Sequence, residues 1–250
     1  VADVIRAAAE DSGYRVEVVG TDGDIPAQVM TVSDLLAQPV DALAIWPIDR
    51  TSLTPVLDAA PAGTRIVSVG SLVRDTARID AFVGFDPAAA GALQATALLQ
   101  GVGILDDAGS PAAEQPGDPV RIELFAGSPE GARTEPAFAG AMSVLEPYLA
   151  SGRVVVGSGQ DALAEVTTLR GDESAAADRM AALLHQFYPD APPDAVLAPE
   201  DGIARGVAAA LIGVGAAPGE AFPVVTGRGA QLRSIAALMD GRQWMTVLED

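Results

Sequence analysis

Apolar residues recur along this chain in two alternating manners: stripes at helical spacing and short, mostly β-branched runs. Val1, Val4, Ile5 and Ala8 have helical spacing, and this first helix ends at Gly13. Residues 15–19 form a β-branched run, Asp22-Gly23-Asp24 a turn, and Val29, Val32 and Leu36 one face of the next helix. Residues 42–46 are apolar without alternation, the pattern of a strand covered on both faces. A helix over 53–60 follows, with Thr51 or Ser52 placed to cap it, then strands over 65–69 and 81–85 and a helix over 88–99.

Residues 101–119 break the pattern with Gly, Pro, Asp and Ser and little periodicity, and predict a long connection. Beyond them the alternation restarts. Strands are expected over 120–125, 154–156, 195–197, 222–225 and 245–248, and helices over 138–149, 203–212 and 232–239. Met180, Leu183, Leu184 and Phe187 supply a further helical stripe. Two such sets imply an α/β fold of two doubly wound parallel-sheet lobes. Ligands of such sheets bind beyond the carboxyl ends of the strands, here in a cleft between the lobes.

Composition narrows the function. The 250 residues carry a formal net charge of -19, which argues against the basic surface that nucleic acid requires. There is no cysteine, so disulfides, thiolate metal sites and a cysteine nucleophile are excluded. Lys and Asn are also absent, which removes Schiff-base chemistry, a phosphate-loop lysine and N-glycosylation. No segment reaches the roughly 18 apolar residues of a membrane span. The chain opens inside a helical pattern, so upstream residues, among them a signal or lipid anchor, are expected to precede it.

Candidate chemistry is sparse. His185 is the single histidine, and it lies on an amphipathic stripe with no Gly-x-Ser-x-Gly nucleophile motif in the chain. Gly213-Val214-Gly215 closes a helix instead of opening one, and Gly227-Arg228-Gly229 has Leu232 at the third glycine position of a dinucleotide fingerprint. Asp22 and Asp24 lack the spacing of a calcium loop. The reading is a protein without catalytic residues, metal or cofactor.

One set of strings carries more. Ile122-Glu123-Leu124-Phe125-Ala126-Gly127-Ser128-Pro129 is followed by Gly140-Ala141-Met142-Ser143-Val144-Leu145-Glu146-Pro147-Tyr148, then by Ser151-Gly152-Arg153-Val154-Val155-Val156. Pro47-Ile48-Asp49, Phe85-Asp86, Leu93-Gln94-Ala95 and Asp194-Ala195-Val196-Leu197 complete a collinear series over nearly the whole chain. The series resembles the xylose and multiple-monosaccharide branch of the sugar receptors of ABC importers, which have the periplasmic binding protein-like I fold. The resemblance implies lobes over 1–103 and 104–250, with a first strand ahead of Val1 and a returning helix after Asp250, so that the fold is truncated at both ends. It implies a small-molecule ligand, a sugar or sugar derivative, an ABC permease as membrane partner, no nucleic acid, a monomer, and an extracytoplasmic location, periplasmic or lipid-anchored.

The resemblance also places a site: Trp46, Ser71, Arg133, Glu200, Asp201, Arg228 and Glu249. Several of these depart from the family's pattern. Gly70-Ser71 stands where the family has Asp-Arg, the stretch near Arg133 where it has Asp-Asn-Asn, Arg228-Gly229 where it has Gln-Asp, and Glu249 where it has Lys; the Asp of the pair at Glu200-Asp201 is retained. A buried sugar hydroxyl left without its partner costs about 1–3 kcal/mol. Three readings stay open: a receptor retuned to another polar ligand through charge-assisted bonds, a sugar receptor with substitute contacts, and a sensor or interaction module with a degenerate site. A LacI-like effector-binding domain is the alternative on the same fold. Trp46 is expected to stack on ligand, Trp244 to pack, and Arg50 to pair weakly with Asp49.

Overall fold

The computed structural model describes residues 2–219 and 221–249; Val1 and Asp250 lie outside the described residues. Contacts divide the chain into two compact units, Val1–Gly84 and Phe85–Asp250.

The first unit contains α1 (Ala2–Asp11), α2 (Ile25–Leu36), β1 (Ala42–Ile45), α3 (Thr54–Asp58), β2 (Arg65–Val69) and β3 (Ala81–Val83). The strands form a parallel sheet in the order β1-β2-β3. Its core joins Val32 and Leu36 of α2, Leu53 and Leu57 around α3, and Leu43, Ile45 and Ile66 of the sheet. Asp24 caps α2 by accepting from the Ala27 amide at 2.8 Å.

Three local expectations are corrected here. Residues 15–19 form no strand: they have no ladder partner, and Val18 and Val19 are exposed. β1 is buried in alternation, with Leu43 and Ile45 inside and Ala42 and Ala44 exposed, because only one side of it meets the α2–α3 core. Neither Thr51 nor Ser52 caps α3, whose N-cap position is Leu53 with no side-chain bond. Asp49 organises that turn instead, accepting from the amides of Thr51 (2.9 Å) and Ser52 (2.7 Å) and from the Ser52 hydroxyl. Burial raises the Asp49 pKa, but these three bonds together outweigh it and hold the carboxyl below its ordinary value.

The second unit contains α4 (Pro87–Gly101), β4 (Val120–Leu124), α5 (Thr134–Ala150), β5 (Val154–Val156), α6 (Leu163–Val166), a single 3-10 turn (Leu169–Gly171), α7 (Glu173–Phe187), β6 (Ala195–Leu197), α8 (Asp201–Gly213), β7 (Val224–Val225) and α9 (Leu232–Met239). Its parallel sheet has the order β5-β4-β6-β7. Alternate strand residues feed two cores. Ile122, Leu124, Ala195, Leu197 and Val224 pack with α4 and α5, whereas Val196 and Val225 pack with α7 and α8. This is the doubly wound arrangement, with helices on both faces.

The sequence-based lobes put residues 85–103 with the first set, whereas contacts group α4 with α5 and the second unit. Glycines explain the closeness. A Cβ at Gly91 would overlap the Ala137 carbonyl, and one at Gly140 would overlap the Ala88 carbonyl, so the two helices approach backbone to backbone. On the opposite face, Gly206 of α8 meets the Glu173 carbonyl of α7 in the same way. The strand expected at 245–248 is reduced to one parallel bridge, between Val247 and Arg228.

Candidate functional site

In the second unit, the chain leaves the carboxyl ends of β4, β6 and β7 through segments rich in polar groups. Arg133 is the residue before α5, Glu200 the residue before α8, and Arg228 stands in the turn after β7. That turn is narrow for steric reasons. A side chain at Gly227 would overlap the Gln243 amide and come within 2.5 Å of Asp201 Oδ1, and Gly229 has φ of 118°, a conformation for glycine. The Gly229 amide bonds the Val247 carbonyl (2.9 Å) and the Val247 amide the Gly227 carbonyl (3.0 Å). These two bonds bring Glu249 beside Arg228.

Four of the sequence-expected residues then form one network. Arg228 Nη1 donates to Glu249 Oε1 and Nη2 to Glu200 Oε1, each at 3.2 Å. Arg133 Nη1 donates to Glu249 Oε2, also at 3.2 Å. Two guanidiniums face two carboxylates, so the cluster is balanced in charge. Exposure is unequal: the side chains of Arg228 and Glu249 are 5% and 17% exposed, those of Arg133 and Glu200 32% and 42%. The inner pair is largely enclosed and the outer pair is open to solvent.

Asp201 sits beneath, fully buried. Its Oδ1 accepts from Thr246 Oγ1 (2.7 Å) and Gln243 Nε2 (3.1 Å), its Oδ2 from the Gln231 amide (2.8 Å). These bonds fasten the turn carrying Arg228 to the segment carrying Glu249. The two remaining expected residues belong to the first unit and stand at strand ends there. Trp46 follows β1 with a half-exposed ring that passes Gly70, where a Cβ would lie 2.9 Å from the indole. Ser71 follows β2, buried, its carbonyl accepting from Ser68 Oγ at 2.5 Å.

Sequence reading missed several residues around the network. Gln94 of α4 is buried and donates to the carbonyls of Ala198 (3.1 Å) and Gly227 (2.9 Å), tying the ends of β6 and β7 to α4. Arg170 adopts a left-handed φ of 57°, and its amide donates to Ser128 Oγ at 3.3 Å. A Cβ on the adjoining Gly171 would lie 3.0 Å from Glu200 Oε2. The 3-10 turn therefore flanks Glu200. Only the glycine hints at this in the sequence; long-range contacts set the rest.

A second polar cluster lies in the same sheet. Glu123 of β4 is fully buried and accepts from Tyr188 Oη (2.6 Å), the Ser158 amide and the Ser158 hydroxyl (2.8 Å each). Burial first, and then the Glu123 bond and charge, push the Tyr188 phenol pKa well above its ordinary value. Arg179 stacks on Phe125 at 4.3 Å and donates to the Leu124 carbonyl; its burial lowers its pKa while Glu123 opposes that shift. His185 is exposed on α7, and Trp244, expected to pack, is half-exposed with its indole beside Gly101. Among the described residues, no group of His, Asp and Glu could hold a metal ion.

In the second unit, planar polar side chains gather at the strand ends of a doubly wound parallel sheet, the region where ligands of such sheets bind. The chain belongs to the periplasmic binding protein domain family, whose model it matches over residues 1–250. It is 37% identical over 241 residues to the multiple sugar-binding periplasmic receptor ChvE of Rhizobium radiobacter, covering 96% of this chain and 66% of the relative. It is 28% identical over 248 residues to a D-xylose-binding periplasmic protein of Escherichia coli, covering 98% and 66%. The chain thus spans slightly less than two thirds of the length of these relatives. Among solved structures, an ABC transporter solute binding protein from Clostridium phytofermentans with bound β-D-glucose superposes with a TM-score of 0.87 at 28% identity, over 99% of this chain and 74% of that one. A carbohydrate transporter solute binding protein from Chloroflexus aurantiacus in complex with D-glucose gives 0.80 at 28% identity, over 100% and 74%.

Proposed function

We propose that this chain is the solute-binding receptor of an ABC importer, working outside the cytoplasm as a monomer that takes a sugar or sugar-like solute and hands it unchanged to a membrane permease. The observation that carries this reading is the Arg133–Glu249–Arg228–Glu200 network. Its outer guanidinium and carboxylate are each planar, partly exposed and held in place by a less exposed partner. A carboxylate can accept from two adjacent hydroxyls and a guanidinium can donate to two, the pairing that a polyol offers. The relatives bound to or named for sugars support the same solute class. In this reading Arg133 and Glu200 touch the ligand, Arg228 and Glu249 hold them, and Asp201 supports the turn.

The reading is tested by thermal shift with D-glucose, D-xylose and L-arabinose. A binding sugar at a hundredfold excess over its Kd stabilises the folded chain by about 2.7 kcal/mol, which raises Tm by several degrees. Chromatography should recover the sugar unchanged. No shift with any neutral monosaccharide, or recovery of a converted product, would overturn the assignment.

A further inference from the structure

We infer that Glu249 is a specificity filter that makes this site reject acidic sugars in favour of neutral ones. The inference rests on the sugar-receptor reading and adds to it the charge of the ligand. A binding surface with two arginines would ordinarily suit a carboxylate, because a guanidinium and a carboxylate pair through parallel hydrogen bonds. Here Glu249 already holds that place. One of its oxygens takes Arg228 and the other takes Arg133, each at 3.2 Å, and its side chain is only 17% exposed. Glu200 takes the second Nη of Arg228. Both positive charges are therefore balanced before any ligand arrives.

A uronate entering beside Arg133 and Glu200 would bring a third carboxylate to a cluster that holds two cations. It would have to displace Glu249 from a position fixed by the Val247–Arg228 bridge, or lie against it with like charge. The whole chain, at -19, adds no compensating field. A neutral sugar meets neither obstacle: its hydroxyls use the outward-facing atoms of Arg133 and Glu200 and leave the inner pairs intact. Rejection thus comes from an internal carboxylate that resembles the excluded ligand's own group, a repulsive element built into the site.

The test measures dissociation constants of the full chain by calorimetry for pairs that share a skeleton, D-glucose with D-glucuronate and D-galactose with D-galacturonate. The unaltered protein should prefer the neutral member of a pair by at least about tenfold. Glu249→Gln keeps the shape and removes the charge, and should cut that preference at least about tenfold, chiefly by tighter uronate binding. Adding Arg133→Gln to that variant should abolish the gain, which a merely structural role for Glu249 does not foresee. Equal binding of sugar and uronate by the unaltered chain overturns the filter, as does an unmoved preference in Glu249→Gln. Should that variant fail to fold by circular dichroism, the comparison on the unaltered chain decides alone. If neutral sugars bind and the variants change nothing, only the filter falls; if neither neutral sugars nor uronates bind any form, the sugar-receptor reading falls with it.

Discussion

At the scale of single residues, the second unit separates two uses of buried charge. Buried Arg228 and half-buried Glu249 hold other groups at a surface, whereas Glu123 is buried and ties the sheet to Tyr188 at the end of α7. The second use has a consequence in alkaline solution. Tyrosine in an unfolded chain ionises near pH 10, while burial and the Glu123 bond keep the Tyr188 phenol protonated beyond that point. The folded state then binds more protons than the unfolded one, so this contribution is intact below about pH 10 and falls as pH rises through that value. Urea unfolding at about pH 8 and about pH 10.5 should show a larger loss of stability in the parent than in Tyr188→Phe. Equal losses would show that Tyr188 does not supply the pH dependence. The sequence offered no sign of this pair, because Glu123 sits in an apolar run and Tyr188 lies 65 positions away.

At the scale of elements, the order of strands and helices was legible from periodicity alone, and β2, β5, β6 and α9 lie where the apolar spacing put them. What was illegible depended on partners. Residues 15–19 have the composition of a strand but no neighbouring ladder, and 245–248 make one bridge in place of a strand. Neither Thr51 nor Ser52 caps α3, because Asp49 draws both their amides and the Ser52 hydroxyl into the preceding turn, and the helix begins at Leu53 without a side-chain cap. Of the candidate site, sequence named the four residues of the Arg–Glu network but not their pairing, since Arg133 and Glu249 are 116 positions apart. The helix glycines were present as letters without a visible purpose. They now predict that Gly91→Ala or Gly140→Ala destabilises the second unit by about 3 kcal/mol through overpacking of α4 on α5. Because the first substitution already separates the helices, the double variant should lose less than the sum of the two. Denaturation midpoints that do not move would show that the helices part at little cost.

At the scale of the whole molecule, the excess of carboxylates is the dominant electrostatic fact. Self-repulsion at -19 weakens any compact state, and added salt relieves it. Between about 0.01 and 0.15 M ionic strength the screening length falls from about 30 to about 8 Å, so Tm should rise over that interval without any ligand. A flat or falling Tm would mean that short-range ion pairs such as Arg228 with its two carboxylates outweigh the repulsion. Sugar affinity should respond less than Tm does, since the cluster proposed to meet the sugar is already neutral. The distribution of the two tryptophans supplies an optical handle on these events. Trp46 lies in the first unit and Trp244 in the second, and both rings are half-exposed, at 48% and 55%. Each unit therefore carries its own fluorophore, and a chain with either indole replaced by phenylalanine reports by its emission colour on one unit alone.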